Sequence, residues 1–282
     1  MHFQLSIVHS QLLIVNCISS IVNCKLYYME AKLILCDLDG TLLRTDKTIS
    51  LKNINALENC RKKGILIGFS TSRGRPNIIP FEEKIKPDIL ICNGGGCIFY
   101  KEKLIRTQSF SLDETRSMLE TAYKVCGENA EITLDTLDAI YWNRKHDKST
   151  DYDWDCAYND FKDFNEPAMK ICLQTQDIEK VRKIAESVPS CDYLPFSDIP
   201  WYKFSSATAT KENAIRFLCD YLKIAPESII AFGDDHNDIG MLKMCGTGVA
   251  MSNAIPEVKA SADFITLSND EDGIADFLMS RM

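Results

Sequence analysis

Two acidic residues stand directly behind a short apolar run near the start of the chain. Asp37 and Asp39 follow Leu33–Cys36, which we predict to be a buried strand of a parallel sheet. Side chains at this spacing face the same side of a strand, and the glycine that comes next lets both carboxylates turn into one pocket. Close carboxylates repel each other unless a cation joins them or one of them is protonated. The stretch therefore indicates a metal or acid–base site, with an ordinary acidic turn as the alternative.

A second acidic segment follows another predicted strand far along the chain. The apolar run Ser228–Phe232 leads into Gly-Asp-Asp-His-Asn-Asp at residues 233–238. Oxygen ligands from two separate strand ends suit Mg²⁺, which accepts one or two carboxylates together with substrate phosphate. A single histidine, His236, among carboxylates is a poor zinc site because no cysteine ligand pattern accompanies it. We therefore predict a magnesium site at the carboxyl ends of the strands, where ligands bind in open α/β sheets.

Groups that suit phosphoryl oxygens follow at further predicted element ends. The predicted strand Ile65–Phe69 leads into Ser-Thr-Ser-Arg, whose hydroxyl, backbone N–H and basic groups can hold an anion, although a serine-rich loop with a solvated arginine is the alternative. The predicted strand Ile89–Cys92 leads into Asn93 and three glycines, which allow a ligand to approach the backbone closely. Lys211 opens a predicted helix, where a cation opposes the helix dipole and therefore needs an anion or a carboxylate as partner.

Composition narrows the class of protein. The chain has 282 residues, of which 45% are hydrophobic and 26% charged, as in an ordinary globular protein. Its net charge of −8 argues against general nucleic-acid binding. The twelve cysteines form no Cys-x-x-Cys pair, and several lie inside apolar strands, so we expect free thiols and a cytoplasmic location. We predict no membrane partner, and the oligomeric state is left open.

We predict an α/β fold in which a doubly wound parallel sheet carries a second, inserted domain. Strands and helices alternate in residues 29–96 and 201–282, which we assign to the core. From residue 97 the predicted strands tend to alternate polar and apolar residues, as in an antiparallel sheet with one covered face. We therefore assign residues 97–200 to an α+β cap domain. Residues 1–28 fit neither a signal peptide nor a membrane span, and we expect them to lie outside the core.

The motifs taken together resemble a known family. Asp37-Leu38-Asp39-Gly40-Thr41, Thr71 with Arg73, Lys211 and the acidic segment 233–238 occur in the order found in the haloacid dehalogenase superfamily. The resemblance covers about residues 31–280 and is to the Cof-like, sugar-phosphatase-like subgroup, which has a Rossmann-like core and a large α+β cap of type IIB. One departure is Ser72, where members of this subgroup usually carry glycine.

The resemblance implies a role for each acidic residue. Asp37 would be the nucleophile that forms an aspartyl-phosphate, and Asp39 the general acid and base. Mg²⁺ would be held by Asp37, the backbone carbonyl of Asp39 and Asp234, with Asp238 as a further ligand or a support.

The resemblance also implies which residues hold the substrate. Thr71 and Lys211 would bind the transferring oxygens and count as catalytic, and Lys211 would keep the nucleophile ionised. Arg73, Asn93 and Asn253 would contact the phosphate or the rest of the substrate.

The function that the sequence predicts is a Mg²⁺-dependent phosphatase for small phosphorylated metabolites, such as sugar phosphates, FMN or pyridoxal phosphate. A phosphomutase is an alternative because the same nucleophile can return the phosphoryl group to another hydroxyl. A catalytically idle binding protein is a third possibility, which the presence of both acids and the lysine disfavours. The cap is expected to determine specificity, and its sequence does not identify the substrate.

Overall fold

The structure is a computed structural model that describes residues 31–145, 156–196 and 199–282. The predicted extension, residues 1–28, lies outside the described residues. The described part folds around two β-sheets, one of eight strands and one of six. None of its helices is both long and apolar enough to cross a membrane.

The eight-stranded sheet forms the core. Its strands are β1 Leu33–Cys36, β2 Leu66–Ser70, β3 Ile89–Cys92, β4 Cys97–Tyr100, β5 Lys103–Thr107, β12 Ile229–Gly233, β13 Thr247–Ala250 and β14 Phe264–Ile265. They lie in the order β14-β13-β12-β1-β2-β3-β4-β5. The strands are parallel from β14 to β3, and β4 and β5 then add an antiparallel hairpin at the edge. The central strands are buried on both faces, which explains their continuous apolar sequences.

Helices cover both faces of this sheet and make it doubly wound, as predicted. On one face lie α1 Leu51–Lys62, α2 Ile79–Ile85 and α8 Gly273–Arg281; on the other lie α5 Lys211–Leu222, α6 Ile239–Met244 and α7 Pro256–Lys259. Ser50 caps the first of these helices, because its hydroxyl accepts a hydrogen bond from the Asn53 backbone N–H.

The register of the central strands places the predicted motifs side by side. Cys36 at the end of β1 pairs with Phe232 of β12 on one side and with Phe69 of β2 on the other. The two acidic segments and the Ser-Thr-Ser-Arg loop therefore leave the sheet at neighbouring positions along one edge.

The six-stranded sheet belongs to the cap. Its strands are β6 Ile132–Asp135, β7 Ile140–Trp142, β8 Ala157–Tyr158, β9 Lys170–Gln174, β10 Cys191–Pro195 and β11 Trp201–Ser206. They lie in the order β10-β11-β9-β6-β7-β8. Helices α3 Leu112–Cys126 and α4 Ile178–Glu186 pack against one face through apolar side chains. The opposite face carries the alternate side chains of these strands, and Lys170 of β9 and Lys203 of β11 reach from it to the core loops that hold Ser72 and Asn237.

The predicted domain boundaries are wrong by one hairpin and one strand. Residues 97–107, assigned to the cap, form β4 and β5 of the core sheet, whereas residues 201–206, assigned to the core, form β11 of the cap sheet. The change in pattern after Gly96 marks a change from parallel to antiparallel pairing within one sheet. The chain enters the cap after Thr107 and leaves it after Ser206.

The two segments that connect core and cap lie next to each other. The Thr208 hydroxyl donates a hydrogen bond of 2.6 Å to Gln108 Oε1, and the Gln108 backbone N–H donates to the Gly96 carbonyl at 2.6 Å. Entry and exit of the cap are therefore joined at one point on the core.

Candidate active site

The nucleophile candidate Asp37 is paired with Lys211 at the centre of the site. Lys211 Nζ lies 2.6 Å from Asp37 Oδ1 and 2.6 Å from Asp238 Oδ1, and all three residues are buried. Lys211 is the first residue of α5, whose preceding residue Thr210 accepts a hydrogen bond from the Asn213 backbone N–H. The two carboxylates are the partners that this lysine needs at a helix start, where the dipole is unfavourable to it.

Asp234 faces Asp37 from the neighbouring strand end. Its Oδ1 accepts a hydrogen bond of 2.7 Å from the Thr41 hydroxyl, and its carboxylate lies against Gly40, whose φ is +75°. A side chain at position 40 would displace this carboxylate and would strain the backbone, which explains the glycine there. The loop is also held from the other side, because Asn253 Nδ2 donates to the Gly40 carbonyl at 2.8 Å.

Three carboxylates converge at this point. One oxygen each of Asp37, Asp234 and Asp238 lies within 4.8 Å of the other two. Asp238 Oδ2 also accepts the backbone N–H groups of Asp234 and Asp235, at 2.9 and 3.2 Å, which fixes the loop after β12. The arrangement offers oxygen ligands only, as Mg²⁺ prefers.

The cluster carries more negative than positive charge, since three carboxylates face one ammonium group. Burial raises the pKa of Asp37 well above its ordinary value; the Lys211 ammonium opposes this shift, while the charges of Asp238 and Asp234 add to it. Burial and the Asp238 charge raise the pKa of Asp234 to about 7. Burial lowers the pKa of Lys211, but the two carboxylates beside it outweigh that effect and raise the pKa. A divalent cation would offset the repulsion between the carboxylates.

The acid–base candidate Asp39 is held by two cations. Arg73 Nε and Nη2 lie 2.6 and 2.7 Å from its two oxygens, and Lys47 Nζ lies 2.8 Å from Oδ1. Burial alone would raise the pKa of Asp39, but the hydrogen bonds and charges of Arg73 and Lys47 lower it to about 2. Asp39 is therefore ionised, and Arg73, for which the sequence predicts a substrate contact, binds Asp39 in this structure.

The remaining predicted residues surround this centre. Thr71 is buried directly after β2, where its Oγ1 accepts the Arg73 backbone N–H at 3.1 Å. Asn93 is also fully buried, with φ +52°, and its side-chain amide has no hydrogen-bond partner among the described residues. Asn253 supports the Gly40 loop, and its Oδ1 accepts the Asn269 backbone N–H at 3.1 Å. Direct contact of these residues with a substrate stays a prediction.

The cap contributes two buried lysines that sequence reasoning missed. Lys170 Nζ lies 3.0 Å from Asp135 Oδ2, within the cap, and donates to the Ser72 carbonyl of the core at 2.9 Å. Lys203 Nζ donates to Asn237 Oδ1 of the core at 3.0 Å. A signal for both is present in the sequence, since each occupies a strand position that alternates with apolar residues and therefore faces away from the cap core.

A cavity of about 230 Å³ lies between the cap and the core. Lys203 and Ser205 of β11 line it from the cap, and Gly94, Lys211 and Asn237 line it from the core. Lys211, the lysine predicted to bind phosphate, thus lines the same cavity as Lys203 of the cap.

Comparison with known proteins assigns the family. The family model of the haloacid dehalogenase-like hydrolases matches residues 34–278. The 5-amino-6-(5-phospho-D-ribitylamino)uracil phosphatase YcsE of Bacillus subtilis is 27% identical over 249 residues, which cover 88% of this chain and 94% of the relative. The chain spans about half the length of another relative, the chloroplastic endoribonuclease YBEY of Arabidopsis thaliana: 28% identity over 275 residues covers 89% of the chain and 47% of that protein.

The fold agrees with this assignment. The structure of a sugar phosphatase of subclass IIB of the superfamily superposes with a TM-score of 0.77 at 25% identity, over 88% of this chain and 98% of that one. Both the resemblance and the fold class predicted from the sequence are thereby confirmed. The chain belongs to the haloacid dehalogenase-like hydrolases, and the activity that this membership supports is that of a phosphatase.

Proposed function

We propose that the protein is a Mg²⁺-dependent phosphatase that hydrolyses small phosphorylated metabolites through an aspartyl-phosphate on Asp37. The observation that carries the proposal is the convergence of Asp37, Asp234 and Asp238 within 4.8 Å, with Lys211 in contact with the first and the last. The end of β1 supplies the nucleophile Asp37, and the end of β12, about two thirds of the chain further on, supplies the two carboxylates beside it.

The donor set of the cluster fits Mg²⁺. Asp37 and Asp234 would hold the ion together with the backbone carbonyl of Asp39, and Asp238 would act as a further ligand or hold Lys211 and the loop in place. When bound, the ion offsets negative charge on the carboxylates and on the phosphoryl oxygens. The raised pKa values of Asp37 and Asp234 support this fit, because both carboxylates ionise more readily beside a cation.

The residues of the chain would perform the chemistry in two steps. Asp37 attacks phosphorus, and the bond from phosphorus to the leaving oxygen breaks as Asp39 supplies that oxygen with a proton. Asp39 then removes a proton from water, which attacks the aspartyl-phosphate and releases inorganic phosphate. Lys211 and Thr71 hold the phosphoryl oxygens, whose charge must be stabilised in the transition state.

The pairing of Asp39 with Arg73 is part of this proposal. With its pKa lowered to about 2, Asp39 is ionised, which is the form that activates water, whereas the first step needs the protonated form. We infer that the phosphoryl group of an incoming substrate attracts Arg73 away from Asp39. The pKa of Asp39 then rises as the leaving oxygen arrives. Arg73 would thereby serve as the substrate-binding residue predicted from the sequence.

A screen of phosphate release tests the proposed function. The protein is incubated with a panel of phosphorylated metabolites, once with Mg²⁺ and once with EDTA. We expect phosphate release from a subset of the panel with Mg²⁺ only, and at least a thousandfold loss in the Asp37→Asn variant at unchanged circular dichroism. No release from any compound, or substantial activity in Asp37→Asn, would contradict the proposal. Accumulation of an isomeric sugar phosphate in place of free phosphate would indicate a mutase.

A further inference from the structure

Lys203 is a cap residue placed against the floor of the active site. It lies in the middle of β11 and is 4% exposed. Its Nζ donates to Asn237 Oδ1 at 3.0 Å and would lie 3.0 Å from a Cβ placed on Gly94. Asn237 in turn donates from Nδ2 to the Ser72 hydroxyl at 3.1 Å. The ammonium group therefore sits where three loops of the core meet the cap.

Lys203 differs from the other buried lysines in its partners. Of the three lysines buried in the described part of the chain, Lys211 contacts Asp37 and Asp238, and Lys170 contacts Asp135. Lys203 forms no ion pair with any described carboxylate, and its hydrogen-bond partner is a neutral amide. A buried ammonium group without a counter-charge is costly.

The surroundings of Lys203 make this cost larger. Burial, followed by the positive charges of Lys170 and Lys211, lowers the pKa of Lys203 to about 8, although Cys172 and the Asp192 charge act in the opposite direction. An anion beside Lys203 would offset the repulsion between these positive charges. The position thus has the charge and the hydrogen-bond donors of an anion site.

The cavity beside Lys203 limits the size of its occupant. Its volume of about 230 Å³ is below the usual range for ligand pockets and suits a small polar molecule. Asp192 and Glu212 also line the cavity, and the Asp192 charge acts on Lys203, but no ion pair joins either carboxylate to Lys203 in the described part of the chain. Lys203 and Lys211 line the same cavity, so one ligand can reach both.

We propose that Lys203 is a specificity-determining residue that binds a second anionic group of the substrate, a carboxylate or a second phosphate, in addition to the phosphoryl group that is transferred. The inference rests on the proposed function, in which Lys211 and Thr71 hold the transferred group beside Asp37. Lys203 contacts neither Asp37 nor its partners, and it approaches the cavity from the cap. The substrate class is therefore a small phosphate monoester with a further negative charge.

Paired probes that differ in one anionic group test the inference without turnover. Phosphoglycerate carries a carboxylate where glycerol phosphate carries a hydroxymethyl group, and fructose bisphosphate and fructose phosphate form a second pair. Dissociation constants with Mg²⁺ are measured by calorimetry in the Asp37→Asn background, with and without Lys203→Met. We expect the more anionic member of at least one pair to bind at least about tenfold tighter, and Lys203→Met to remove most of that preference.

The control is Lys183→Met, the same change on the exposed side of α4 in the cap. It should keep the wild-type preference, and circular dichroism should show that all variants fold. Equal binding within both pairs, a preference that survives Lys203→Met, or an equal loss for both members of a pair would overturn the inference. If the preference depends on Lys203 but the wild type releases no phosphate from any compound, the proposed function fails and the anion site stands.

Discussion

Asp39 is a carboxylate whose role depends on the cations around it. Arg73 and Lys47 hold it ionised, while its proposed role in the first step requires a proton on the leaving oxygen. The need for that proton depends on the leaving group, because a phenolate leaves readily without protonation and the alkoxide of a sugar does not.

The Asp39→Asn variant should separate the two kinds of leaving group. We expect the first-turnover rate on a sugar phosphate to fall at least a hundredfold, and the rate on an aryl phosphate to fall at least tenfold less. Rapid-quench measurement of the released alcohol or phenol isolates this step from the hydrolysis of the aspartyl-phosphate. Equal losses on both substrates would contradict the acid role of Asp39.

Lys203 should also leave a mark on stability as the pH changes. Its pKa is about 8 in the folded protein and 10.5 ordinarily, so between these values the unfolded state binds a proton that the folded state has lost. Stability therefore rises with pH in this window, and the cost of burying the charge is present in full below pH 8. The difference between the two pKa values corresponds to about 3 kcal/mol.

Urea unfolding of the wild type and of Lys203→Met at pH 7 and near pH 10 measures this effect. Relative to the variant, the wild type should gain up to about 3 kcal/mol on going to the higher pH. Lys183→Met, with an exposed lysine replaced, should follow the wild type. If the free energy of unfolding of Lys203→Met had the same pH dependence as that of the wild type, burial of a charged Lys203 would not destabilise the fold.

The sequence predicts the residues of the core site better than those of the cap. Asp37, Asp234 and Lys211 each stand at the end of a strand or the start of a helix, so topology alone brings them together. Lys47 and Lys203 have no such position, and their contacts depend on how a loop or the cap lies over the core. The Ser72 hydroxyl, a departure from the family pattern, accepts a hydrogen bond from Asn237.

At the scale of elements, the turn between β3 and β4 fixes where α5 begins. Gly95 has φ +109°, and a Cβ there would collide with the backbone of Thr210, the residue before Lys211. Gly64, after α1, has φ +83°, and a Cβ there would have no neighbour within 4 Å. The two glycines share a left-handed backbone and differ in what surrounds them.

Replacing each glycine by alanine separates backbone strain from steric contact. Both changes carry the cost of a left-handed alanine, about 1–2 kcal/mol. Gly95→Ala should lower the free energy of unfolding by a further 1–3 kcal/mol or so, and should reduce phosphatase activity because Thr210 and Lys211 move. Denaturant unfolding and steady-state assays of both variants give the comparison. Similar effects of the two changes would contradict the close contact at Gly95.

Element types follow from the sequence where the apolar pattern is plain. Leu33–Cys36 and Ile89–Cys92 are strands with the predicted bounds, since a buried parallel strand is apolar at nearly every position. The membership of β4 and β11 in their sheets is not readable in this way, because the apolar residues of β4 and the mixed residues of β11 each fit either sheet. Which sheet each strand joins is determined by its hydrogen-bonded neighbours in the folded chain.

For the whole molecule, binding of Mg²⁺ should stabilise the fold. A ligand present at about a hundred times its Kd adds about 2.7 kcal/mol, which for a chain of this size raises the Tm by roughly 5–10 °C. Asp234→Asn should abolish this shift, because the carboxylate oxygen facing Asp37 is lost. Asp138→Asn, a change at an exposed cap residue, should keep it. A shift of the same size in Asp234→Asn would contradict the proposed ion site.

The overall architecture can be predicted from the order of strands and helices in the sequence. The position of the cap on the core cannot. Alternation of strands and helices predicts a doubly wound sheet with an inserted domain, and the family match confirms it. The contacts that join cap and core, from Lys170 to the Ser72 carbonyl and from Lys203 to Asn237, link residues far apart in sequence and carry no local pattern.

The hydrogen bond between Gln108 and Thr208 has an evolutionary consequence. All strands of the core sheet lie outside residues 109–207, so the parallel ladder is complete without the inserted domain. Recombination at these two adjacent points would exchange one cap domain for another, while every strand of the core sheet kept its register. Replacement of one contiguous gene segment could thus change the substrate that is bound, while the acidic residues of the core site stayed in place.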